Sequence, residues 1–206
     1  MVFEIRRLCR RVLEILDENR EQDDFLRESD DATLRLLDMA ESALEGAARV
    51  VTRECSTRLL ETGHRLEGSF VPLPRQGGAR LLLPDDFLRL VSMGGEGWER
   101  EPDVVEAGSE AYRIACCGIP GVGGSKEKPV IATLWRPEGM VLEAFPFPGE
   151  DWWATYQPEP LRDRDGGLDI PSGVKEAVCW WTAGIVSQEL GGKGEGYFEI
   201  AKTLMQ

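Results

Sequence analysis

Residues 130–145 read VIATLWRPEGMVLEAF, and the way this stretch turns back on itself sets the class of what surrounds it. Both halves, VIATLW and MVLEAF, are short β-like runs bounded by turn residues. Between them, Arg136-Pro137-Glu138-Gly139 puts proline second and glycine fourth. That is the type I preference: proline presets its φ, and glycine follows where the chain must bend. The spacing predicts an antiparallel hairpin.

Just before it, GIPGVGGSKEKP (118–129) raises the question of phosphate binding. A phosphate-cradling loop needs lysine followed by a hydroxyl residue after its last glycine, so that the amine reaches the terminal phosphates and the hydroxyl holds magnesium. Here the order is Gly124-Ser125-Lys126, with the two exchanged. A dinucleotide fingerprint from Gly121 and Gly123 would need glycine where Lys126 stands. Such a cradle also opens a helix whose amides face the anion, whereas Lys128-Pro129 leads into a strand. The loop reads as a flexible connection with no cofactor to hold.

Further out, SFVPL, ARLLL and FLRLVSM repeat the β-like texture between glycines and prolines. Toward the ends the period changes. FEIRRLCRRVLEIL places Ile5, Leu8, Cys9, Val12, Leu13 and Leu16 on one helical stripe with most arginines off it. After the acidic linker DENREQDDFLRESDD, Asp30 and Asp31 are placed to cap a second helix, ATLRLLDMAESALEGAARVV, with Leu37, Ala40, Leu44, Ala47, Ala48 and Val51 on its stripe. Beyond DRDGGLDIPSG, Val174, Ala177, Val178, Trp181 and Ile185 recur at helical spacing until Gly191-Gly192, and Tyr197, Ile200, Ala201 and Leu204 follow on a last helix. The expected fold class is α+β, a helical bundle from both chain ends with a β-rich insertion. The expected division is helices in 1–58, insertion in 59–170 and helices again in 171–206.

The chain has 206 residues, 42% hydrophobic and 30% charged, which suits one domain or two small lobes with a real core. Five cysteines without C-x-x-C spacing argue against a disulfide framework or a zinc site, and read as small buried hydrophobes in a reducing compartment. No run approaches a membrane span. Thirty-seven acidic against twenty-four basic residues give a formal charge of −13, which repels a polyanion at long range. The single histidine, His64, has no second histidine with which to share a metal and reads as structural. Asp85-Asp86 after Pro84 reads as a turn, since consecutive carboxylates diverge and do not face one another across a substrate bond. No catalytic, cofactor-binding or metal-ligating set is expected.

Two tryptophan pairs, Trp152-Trp153 and Trp180-Trp181, ask for burial on two sides. Neighbours in a strand point to opposite faces, and in a helix they diverge by about 100°. Trp180 lies toward Ala177 and Gly184, small residues that leave a notch. Trp152, Trp153, Trp180 and Gly184 are therefore the candidate interface residues, open equally to a subunit contact and to a second layer within the chain.

The stretch Leu83-Pro84-Asp85-Asp86-Phe87-Leu88-Arg89-Leu90-Val91-Ser92 resembles a segment of the head-tail connector, or adaptor, proteins of tailed bacteriophages, particularly the short-tailed-phage adaptor and tubular-tail group. Ser109-Glu110-Ala111-Tyr112-Arg113, then Lys128-Pro129-Val130, then Leu142-Glu143, resemble the same family's next landmarks in order, while the helical ends are similar in character only. The resemblance implies a helical bundle carrying a β-rich insertion and a structural role. It also implies a ring homo-oligomer beneath the portal protein, with tail proteins as further partners, and DNA passing through without specific binding. The expected location is the virion, and the host bacterial cytoplasm during assembly. Cys116-Cys117 and the glycines from Gly118 to Gly124 are not part of that pattern. Two other readings stay open: a nucleotide-dependent enzyme using the glycine-rich loop, and a soluble bacterial interaction module.

Overall fold

The structure, a computed structural model, describes residues 1–18, 30–61, 63–73, 77–117, 119 and 124–206. In chain order the elements are β1 (Val2–Glu4), α1 (Ile5–Glu18), α2 (Asp30–Glu54), β2 (His64–Arg65), β3 (Val71–Leu73), β4 (Gly78–Leu82), β5 (Phe87–Gly95) and β6 (Asp103–Val104). There follow α3 (Glu110–Ala115), β7 (Val130–Arg136), β8 (Gly139–Phe145), β9 (Trp152–Pro158), β10 (Gly167–Asp169), α4 (Lys175–Glu189) and α5 (Glu195–Leu204). They form two compact units, one from Met1–Glu61 with Glu159–Gln206, the other Thr62–Pro158.

The first unit is built on helical periodicity. On α1, Ile5, Leu8, Cys9, Val12, Ile15 and Leu16 are buried, and on α2 so are Ala40, Leu44, Ala47, Ala48 and Val51. The small residues of α2 admit α4 at close range, and α4 packs against α1, α2 and α5. Because α4 meets neighbours on several sides, its burial widens beyond one stripe to take in Cys179, Thr182, Ala183, Gly184 and Val186. The buried Thr182 hydroxyl donates to the carbonyl of Val178 at 2.8 Å, so it needs no partner from elsewhere. Both aspartates expected to cap α2 stand in its first turn, while most of the linker before them, residues 19–29, lies outside the described residues.

In the second unit two sheets share one apolar core. The order β2-β9-β5 makes one sheet and β3-β4-β8-β7-β6 the other. Phe87, Met93, Ala154 and Tyr156 from the first meet Leu81, Ile131, Leu142 and Ala144 from the second. The 130–145 hairpin is β7 paired antiparallel with β8, from Val130 opposite Phe145 to Arg136 opposite Gly139. Gly139 closes the turn at φ +130°, a conformation that a side chain would strain. Because β8 alternates, Leu142 and Ala144 face the shared core and Glu143 faces the other side, where α3 lies.

The expected bundle with a β-rich insertion requires correction. Helices are not confined to the chain ends, since α3 lies within the strand-rich segment. Nor are the ends purely helical, since β1 and β10 pair there as a two-stranded antiparallel sheet. The chain is a mixed α+β protein of two units. Sequence periodicity failed at these points because strands of three residues and a helix of six carry less than two periods of any pattern. The pairing of β1 with β10 also brings residues 159–170, read from sequence as insertion, into the first unit.

Candidate functional site

The densest convergence of ionisable groups among the described residues is centred on Glu143. Its side chain is fully buried, and among the described residues the other buried polar ones are the threonines Thr52 and Thr182. Arg80, opposite it on β4, donates to Oε1 from Nε at 3.0 Å and from Nη2 at 2.8 Å. Arg136, at the end of β7, donates to the same oxygen from Nη2 at 3.0 Å. Tyr112 on α3 donates its hydroxyl to Oε2 at 2.7 Å, and its ring meets Phe145 edge-on. Arg80 also pairs with Glu138 in the hairpin turn at 2.8 Å.

The ionisation follows from these contacts. Burial pushes the Glu143 carboxyl up, but the Tyr112 hydroxyl and the two guanidinium groups together outweigh it, and the net direction is down. Tyr112 is pushed up to about 12 by burial and by the carboxylate it serves, so it stays a donor. Arg136 is raised by its bond to Glu143. The ionised carboxylate accepts at both oxygens, Oε1 from the two arginines and Oε2 from Tyr112. It clamps α3, β4, β7 and β8 together. Position follows from local sequence: Ser109 caps α3 by accepting from the Tyr112 amide at 3.2 Å, which sets the turn from which the tyrosine reaches the sheet.

The other carboxylate of interest is also spent on structure. Asp85 and Asp86 form a turn closed by the Phe87 amide donating to the Pro84 carbonyl at 3.0 Å. Asp86 accepts from the Tyr156 hydroxyl at 3.0 Å, and burial with that bond pushes Tyr156 up to about 12. His64 is exposed on β2 with its ring edge-on to Tyr156. Cys116 and Cys117 are free thiols at the end of α3. Among the described residues no group of three or more histidine, cysteine or acidic side chains is arranged to hold a metal, and no helix is long and apolar enough to cross a membrane.

Of the glycine-rich loop, residues 118 and 120–123 lie outside the described residues. Gly124 is glycine because a Cβ there would come within 2.2 Å of the Phe145 carbonyl oxygen. Ser125 and Lys128 close a turn on each other, the serine hydroxyl accepting from the Lys128 amide at 3.2 Å, and the chain enters β7.

The four candidate interface residues are placed apart, two in each unit. Trp152 is half-buried against Phe70, edge to face. Trp153 is 49% exposed and lies over Gly94, its cross-strand partner, where a Cβ would meet the indole at 2.7 Å. Trp180 is half-buried against Tyr197 of α5. The notch at Gly184 is filled within the chain by the Phe198 ring, which a Cβ would approach to 2.6 Å. α4 thus carries the notch and α5 its occupant.

No family model and no curated protein matches the chain. Sequence reasoning read Tyr112 and Glu143 only as landmarks and missed that they bond to each other. No local signal marked it: the glutamate inside MVLEAF is buried because Arg80 and Arg136 stand on the neighbouring strands, and that pairing is not legible in the segment itself.

Proposed function

We propose that this chain is a structural protein of a tailed-phage particle, a subunit of the ring that connects portal to tail and lets DNA pass. The observation that supports the reading is that the residues bearing the resemblance all fall in one compact unit and hold structural positions there. Tyr112 of Ser109–Arg113 bonds Glu143 of the Leu142-Glu143 strand. Leu83 and Phe87 of the Leu83–Ser92 stretch lie in the core of the same unit, and Asp86 is held there by Tyr156. The work of such a subunit is mechanical, and a closed ring adds modest contacts around a circle. The charge of −13 suits a channel that DNA traverses without sticking.

Negative-stain imaging of the purified chain, alone and mixed with rings of a portal protein from the genome that encodes it, tests the proposal. The expected result is extra ring density beneath the portal. A chain that leaves portal rings unaltered under conditions where other connector components bind would overturn it. Titration with ATP and GTP addresses the enzyme reading: no thermal stabilisation is expected, and a clear rise in melting temperature would favour a nucleotide-binding protein.

A further inference from the structure

We draw no further inference here: the strongest candidate, the cleft that Leu16 on α1, Leu190 just after α4, and Tyr197 and Ile200 on α5 line beside Gly192 and Gly194, is an unpartnered apolar face, and nothing in the structure shows what covers it.

Discussion

In the unit made of Met1–Glu61 and Glu159–Gln206, the interior is hydrocarbon and small residues; in Thr62–Pro158, an ionised carboxylate sits fully buried between two arginines and a tyrosine. The first interior is held by contacts that are individually weak and interchangeable, and its cost of damage is set by cavity volume. The second has one polar centre built on a carboxylate that burial has cut off from water, so that losing Arg80, Arg136 or Tyr112 takes a partner from a charge that cannot turn to solvent. The difference teaches where this protein is tolerant: exchange of one aliphatic residue for another is absorbed in the helices, whereas the hairpin and α3 answer to exact chemistry.

Glu143→Ala is the largest break. It leaves Arg136 without the carboxylate it bonds and Arg80 with Glu138 alone, and a loss of about 3–5 kcal/mol is expected, concentrated in the strand-rich unit. Chemical denaturation followed by hydrogen exchange on each unit checks it, and equal loss in both units would erase the comparison. Leu44→Ala is the matched lesion in the helical unit, expected at about 2–5 kcal/mol from the cavity it opens and confined to that unit. Tyr112→Phe removes one bond and leaves Oε2 of Glu143 without its donor, for a loss of about 1–3 kcal/mol. Gly184→Ala is the smallest: the added methyl crowds Phe198, but alanine favours the helix, so a net change within about 1 kcal/mol is expected in melting experiments.

Acid separates the units as well. The Glu143 carboxyl is lower in the folded chain than its ordinary 4.5, so its contribution is present above pH 4.5 and is lost as pH falls through the depressed value. Exchange measured during acid titration is therefore expected to open the strand-rich unit first. Alkali separates them less. Tyr112 and Tyr156 are raised from 10.0 to about 12, and Cys9 and Cys179 from 9.0 to about 11 and about 12. These groups favour the fold below their unfolded values, and both units lose stability as pH rises through the folded ones.

The same contrast explains what could be read from the sequence. The buried faces of α1 and α2 follow three- and four-residue spacing, a local signal that Ile5, Leu8, Val12, Ala40, Leu44 and Val51 carry without knowledge of any partner. The hairpin at 130–145 was legible for the same reason, since its turn chemistry lies between its strands. What escaped is what depends on distant pairing. β1 with β10 and β2 with β9 are too short to announce themselves, and β9 hides behind adjacent tryptophans that point to opposite faces. Glu143 escaped because its counter-ions, Arg80 and Arg136, come from other strands, and nothing in MVLEAF alone distinguishes a buried glutamate from an exposed one. The separation of the candidate interface tryptophans between two units was likewise beyond a reading of neighbours.

The most direct test of the central proposal is the protein composition of purified tailed particles produced by the genome that encodes this chain, measured by quantitative mass spectrometry. The connector reading predicts this chain in every complete particle at a fixed ratio to the portal subunit. Infectious, fully assembled particles that lack it would contradict the proposal.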